Sequence, residues 1–222
     1  MNDLSPKCDS EILTKICEGR LRSYQATPAD ILEHCGLEDQ IAQNYRGRLV
    51  YEMLQNSDDA MDGISGQKRR VYFKLTSDAL LVANTGRPIS EADVRALCGL
   101  SVSSQTTKRV ANRRRATIGQ KGVGFKSILE ITARPEAYST GISFRFDQEL
   151  SARLLQETDG LEGYVRPDRI PIMRLPFPTA SIPAPVQQAL DDGFTTVFWF
   201  PLREDGPGVR DRISKFLRGI SS

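Results

Sequence analysis

Glu52, Asn56 and Asp59 stand four and three residues apart within Tyr51-Glu52-Met53-Leu54-Gln55-Asn56-Ser57-Asp58-Asp59-Ala60. At roughly 100° per residue, with Glu52 at zero, Asn56 falls near about 40° and Asp59 near about −20°. A helix here therefore carries two carboxylates and an amide along one face. Val50, Met53, Leu54, Ser57, Met61 and Ile64 gather on another flank, the expected core face. Taken alone, the polar line also reads as a solvated helix surface. Asn56 argues against that reading, because Asn is a poor helix former and solvated faces favour Glu, Lys and Arg. An amide oxygen one turn after a carboxylate can ligate a hard cation such as Mg²⁺, while the carboxylate accepts a proton from a polarised water.

A second segment suits anions. In Ile118-Gly119-Gln120-Lys121-Gly122-Val123-Gly124-Phe125-Lys126-Ser127, three glycines precede an apolar helical pattern of Phe125, Ile128 and Leu129. Successive backbone N–H groups there can point at a phosphate at a helix N-terminus, with Lys121 and Lys126 adding positive charge. The string is not a P-loop, since GxxxxGK[ST] needs Lys directly after the last Gly and Phe125 intervenes. It is not a dinucleotide fingerprint either, because G-x-G-x-x-G needs a third glycine where Ser127 stands, after Phe125 and Lys126. A flexible hinge or tight helix entry is the plainer alternative for the glycines by themselves.

Composition removes most rival chemistries. His34 is the single histidine, so a His-based metal cluster is excluded and any His-dependent triad would rest on that residue alone. Cys8, Cys17, Cys35 and Cys98 form no CxxC pair, which fits core or incidental thiols in a reduced compartment. Thirty basic against 28 acidic residues give a net charge of +2, no bulk case for nucleic acid or anionic lipid. No apolar run approaches the roughly 20 residues that span a bilayer. Met1 leads into no basic and then apolar stretch, so the expectation is a cytoplasmic protein without a membrane partner.

The elements that must position these residues follow from punctuation and periodicity. A short helix is expected around Glu11 to Leu21. Pro28 begins another from Ala29 to Cys35, stopped by Gly36, and a longer helical pattern runs from Leu37 to about Gly63. Strands are expected at Val71 to Thr76, Ala79 to Ala83, Ile131 to Tyr138, Ile142 to Asp147 and Thr195 to Leu202. Ser90 with Asp93 makes a capping box for a helix over Glu91 to Leu97. The glycine turn opens a helix through Glu130, residues 163 to 186 read as irregular, and Val209 to Ile220 as a terminal helix. Cys98 to Thr117 lacks periodicity and reads as a mobile loop. The pattern predicts an α+β fold: a mixed, mostly antiparallel sheet with helices on one face. The expected organisation is an N-terminal extension (residues 1–28), a main domain (29–205) and a C-terminal helix (206–222) leading to a downstream region in a longer chain.

Together the segments resemble the GHKL ATPase superfamily of gyrase, the ninety-kilodalton heat-shock chaperone, histidine kinases and MutL. Tyr51 to Ala60 is similar to its first motif, in which Glu activates water and Asn holds Mg²⁺. Ile118 to Ser127 is similar to its glycine-rich phosphate lid. Val82-Ala83-Asn84-Thr85-Gly86-Arg87-Pro88 stands where the adenine-binding D-x-G-x-G motif belongs. Thr196-Val197-Phe198-Trp199-Phe200-Pro201-Leu202-Arg203 resembles the strand whose Thr reaches the adenine. The wording of the four blocks is most similar to the sacsin and NO VEIN branch, and the resemblance covers about residues 30 to 203. It implies a Bergerat-type two-layer α/β sandwich that binds ATP and Mg²⁺, with Ser101 to Thr117 as an ATP lid. It assigns Glu52 as general base and Asn56 as metal ligand. Asp59 would hold a water beneath the base, and Asn84, Gly86 and Thr196 would hold the base itself. Gly119, Gln120, Lys121, Gly122, Val123, Gly124, Phe125 and Lys126 would surround the phosphates.

The adenine block departs from the pattern, with Asn84 in place of Asp and Pro88 in place of the second Gly. Asparagine can accept from one face and donate from the other, so Asn84 is expected to bind adenine with less discrimination against guanine, or else only to cap the turn. Lys108, Arg109, Arg113, Arg114 and Arg115 make the expected lid basic without interleaved aromatics, which weakens any single-strand stacking role. His34 is expected on an ordinary helix surface. The favoured function is ATP binding with slow Mg²⁺-dependent hydrolysis coupled to conformational change in a larger chaperone-type protein, with downstream domains, a homodimer and a protein client as partners. The alternatives are a nucleotide-sensing or scaffold module without useful turnover and, with weaker support, a DNA-processing ATPase of the MutL or gyrase kind.

Overall fold

The computed structural model describes residues 6–64, 68–99, 124–203 and 208–220. The expected lid from Ser101 to Thr117 and the residues Gly119, Gln120, Lys121, Gly122 and Val123 lie outside them. Seven α-helices, five strands and one 3₁₀ helix follow one another along the described chain. They are α1 (Pro6–Ala26), α2 (Asp30–Asn44), α3 (Leu49–Met61), β1 (Val71–Leu75), β2 (Ala79–Asn84), α4 (Glu91–Leu97), the 3₁₀ helix Gly124–Glu130, β3 (Glu136–Ser139), β4 (Phe144–Arg145), α5 (Gln148–Gln156), α6 (Ala184–Asp191), β5 (Thr196–Pro201) and α7 (Val209–Ile220).

The strands form one sheet in the order β1-β2-β5-β3-β4, and every pairing among them is antiparallel. The α+β sandwich expected from the pattern is therefore present, in a sheet that is wholly antiparallel among the described residues. Alternation decides which face each side chain takes. Leu80, Val82 and Phe200 point into the main core, where they meet Leu49 and Met53 of α3, Val94 of α4 and Ile128 of the 3₁₀ helix. Burying each of these large side chains contributes about 1.5–3 kcal/mol relative to leaving it in water. The opposite face is not bare. Leu81, Val197 and Trp199 pack against Val186 and Ala189 of α6, so a short helix covers part of the side that was expected to carry none. Helix α1 contributes Leu13 and Ile16 to the main core, and α7 contributes Val209 and Ile213.

Several boundaries moved for identifiable reasons. Helix α2 runs straight through Gly36, because Ile31, Cys35, Glu38 and Ile41 keep one buried stripe across it. The break falls instead at Gly47, whose φ of 76° lies in the left-handed region that glycine enters without steric cost. The strand expected from Ile131 begins only at Glu136, since Ile131 and Thr132 still bond back to the Ile128 carbonyl. Helix α5 was not anticipated: Asp147 caps it by accepting from the Leu150 N–H at 3.1 Å. Helix α6 was not anticipated: it begins in the last residues of the segment read as irregular, with Pro185 in its first turn, and runs on to Asp191.

Candidate nucleotide site

Where β2, β5 and β3 end together, their helix-facing side carries a polar row. Asn84 pairs in register with Thr196, and Thr196 with Ser139. Asn84 and Thr196 are each 2% exposed. The Asn84 Oδ1 accepts the Gly86 N–H at 2.9 Å. The loop after β2 is then clamped from both sides. Thr195 donates its hydroxyl to the Gly86 carbonyl at 2.6 Å, and the Arg87 N–H reaches the Ala60 carbonyl at 2.9 Å.

Gly86 explains how this loop comes so close to α3. A Cβ there would lie 2.7 Å from the Ala60 Cβ and 2.8 Å from the Ala60 carbonyl carbon and oxygen. The glycine thus serves close packing of the loop on α3 and does not line the cleft beside it. That differs from the direct contact with the base assigned to it by resemblance.

The cleft opens between α3, the sheet end and α4. Asn56 and Asp59 of α3 line one side, Asn84, Thr196 and Phe198 the floor, and Pro88, Ile89, Ala96 and Leu97 the far side. Its volume is about 120 Å³, several times what one water needs. Phe125 also lines it, its ring 5.2 Å from that of Phe198. Arg87 and Asp93 stand at the rim in a bidentate pair, with N–O distances of 2.5 and 2.6 Å. Asp93 also completes the capping box of α4 by accepting from the Ser90 N–H and hydroxyl. The Arg87 hydrogen bonds, above all, hold the Asp93 carboxyl well below the usual carboxylate range.

Glu52 sits one turn before Asn56 and is buried, with Oε1 3.6 Å from the Arg48 guanidinium. Its other oxygen rests against Gly124. A Cβ at that glycine would come within 1.9 Å of the Glu52 Oε2. The last glycine of the turn and the carboxylate of α3, 72 positions apart, therefore share one space that only a residue without a side chain leaves open.

Lys126 does not join them. It is fully buried, and its Nζ donates to the Leu97 carbonyl at 2.7 Å, in the last turn of α4 where carbonyls lack intrahelical donors. Burial pushes its pKa down, against the opposing pull of Glu38. Glu38 is itself buried, accepts from the Ile172 and Met173 N–H groups at 2.7 and 3.1 Å, and has its pKa raised by burial. The expectation that Lys126 contacts phosphate is corrected: its ammonium holds α4 to the 3₁₀ helix. His34 is also not a surface residue. It is half-buried with Nδ1 3.1 Å from the Tyr24 hydroxyl. Burial first, and then the Arg174 guanidinium, lower its pKa to about 4.

Of the residues singled out in the sequence, Asn56, Asp59, Asn84, Phe125 and Thr196 line the cleft, while Glu52 and Gly124 meet beside Asn56. Arg87, Asp93 and Phe198 were missed as cleft residues. The capping box was legible, yet nothing local showed that Arg87 would close on it. The alternation Thr196, Phe198, Phe200 was the available signal for Phe198. Among the described residues no group of three His, Cys, Asp or Glu side chains could hold a metal, and no helix is long and apolar enough to cross a membrane.

No known family's sequence profile matches the chain. Over 154 residues, 69% of its length, it is 27% identical to Protein NO VEIN of Arabidopsis thaliana. The chain spans only 5% of that protein, a distant relative.

Proposed function

We propose that this chain is the ATP-binding module of a GHKL-type ATPase in the sacsin and NO VEIN branch, with slow Mg²⁺-dependent hydrolysis that drives conformational change in a longer protein. The observation that carries the proposal is the seating of Glu52 against Gly124, beside a cleft lined by Asn56, Asn84 and Thr196. Two motifs recognised separately in the sequence thereby converge on one place. The similarity to a small part of NO VEIN supports a module that works within a larger assembly.

In this reading the base lies on the cleft floor among Thr196, Phe125 and Phe198, which supply apolar contact and a polar handle. Asn56 lines the same cleft, and its amide oxygen suits Mg²⁺, which takes one or two protein ligands and completes its shell with phosphate and water. When bound, the ion neutralises charge developing on the phosphates. Glu52 orients the attacking water and takes its proton, and its burial keeps the carboxylate in one orientation. In this reading, residues from a downstream domain or a second protomer would complete the site and speed turnover. The reading without turnover is favoured by the ion pair from Arg48, which faces one oxygen of the carboxylate.

Isothermal titration with ATP and Mg²⁺, run beside Asn56→Ala, tests the proposal. Saturable binding that loses its metal dependence in the variant is expected. No heat of binding at millimolar ATP would refute it.

A further inference from the structure

A second cavity opens between the first turn of α3, the end of the 3₁₀ helix and α7. At about 450 Å³ it is larger than the nucleotide cleft and falls in the size range of small-molecule sites. No residue lines both. Its apolar walls are Leu49, Val50, Ile131, Val209 and Ile213, none more than 5% exposed. The apolar surface therefore lies inside a recess and is not offered as an open face, which suits a small molecule better than a protein partner.

The polar groups of the cavity center on Glu130. Its carboxylate accepts the Gly47 N–H at 3.1 Å and pairs with Arg212 at 3.1 Å and Arg46 at 3.5 Å. One carboxylate thus faces two guanidinium groups and neutralises one charge of the two. Lys215 follows Arg212 by three residues, one helical turn, and lines the same cavity. Among the described residues its ammonium has no hydrogen-bond or ion-pair partner. Three cations against one carboxylate leave an apolar recess with positive charge beside it. A neutral apolar molecule would use the walls alone, and an apolar cation would meet like charge. An apolar body that ends in an anion uses both.

We propose that this cavity binds an amphipathic carboxylate of the fatty-acid class, with its hydrocarbon chain against Val50, Ile131 and Ile213 and its head at Lys215 and Arg212. The proposal does not depend on the nucleotide reading. The two elements that meet at Glu52 and Gly124 both border the cavity, α3 through Leu49 and Val50 and the 3₁₀ helix through Glu130 at its other end.

The test is isothermal titration of the whole chain at neutral pH with decanoate, below its micelle concentration. Decylammonium, with the same chain length and the opposite charge, is titrated beside it. One saturable site is expected, at least about fivefold tighter for decanoate. Lys215→Glu, at an exposed position that folding does not need, should weaken decanoate by about fivefold or more. Val50→Trp fills the cavity and should abolish decanoate binding, with a thermal melt to report whether that variant folds. Three results would each overturn the proposal: no saturable decanoate binding at millimolar concentration, equal affinity for decylammonium, or undiminished decanoate binding to Lys215→Glu. Full decanoate affinity in a folded Val50→Trp chain would overturn it too, since the ligand would then sit elsewhere.

Discussion

Gly124→Ala is the substitution that most directly separates binding from chemistry. Its Cβ would stand 1.9 Å from the Glu52 Oε2, while real Cβ contacts essentially never fall below 3.0 Å. The carboxylate must therefore retreat by at least about 1.1 Å. The group that gives way is the end of a flexible side chain, so the fold should lose no more than about 1 kcal/mol. The chemistry is less tolerant, because a misplacement of about 1 Å costs on the order of 10²-fold in rate. In barrier terms that is about 2.7 kcal/mol. Asn56, Asn84 and Thr196 are untouched, so nucleotide affinity should stay within about threefold, a difference of about 0.65 kcal/mol. Single-turnover hydrolysis with protein in excess over radiolabelled ATP, and over GTP in parallel, gives the rate, and titration calorimetry the affinity. The reasoning fails if Gly124→Ala hydrolyses nucleotide at the wild-type rate, or if affinity falls as far as turnover does.

Three further outcomes follow from the same geometry. Gly86→Ala drives a Cβ into the backbone of Ala60, which cannot step aside; a loss of about 1–3 kcal/mol in chemical denaturation is expected. Lys126→Met should cost about 3 kcal/mol, because it removes the opposite charge that acts on buried Glu38 and the donor that meets the Leu97 carbonyl, yet nucleotide affinity should change by less than about twofold. A fall in affinity without loss of stability would restore Lys126 to the phosphates. His34 has a folded pKa of about 4 against an ordinary 6.5, so the folded chain binds fewer protons than the unfolded one. Its contribution is full above pH 6.5 and is lost as pH falls toward 4. After allowance for its partial exposure, His34→Gln should flatten the stability profile over that window by about 1–2 kcal/mol, read from urea midpoints at stepped pH.

What was legible in the sequence was whatever depends on local spacing. Glu52, Asn56 and Asp59 share a helix face because their separations match its period, and the capping box at Ser90 and Asp93 appears as read. Helix α7 appears over the residues expected, since alternation of apolar and charged positions needs no distant partner to be recognised. The choice between binding and packing roles was not legible. Gly86 and Gly124 look alike on paper, yet one makes room for the backbone of α3 and the other for a carboxylate. Lys126 follows a phosphate-binding pattern, but the helix that received its ammonium lies 29 positions upstream. The orientation of the Asn84 amide is set by one N–H of a loop that α3 and Thr195 hold in place. Spacing along the chain determines which side chains share a face. Only the packing of one element on another decides which of their atoms are already satisfied, and so which remain to meet a ligand.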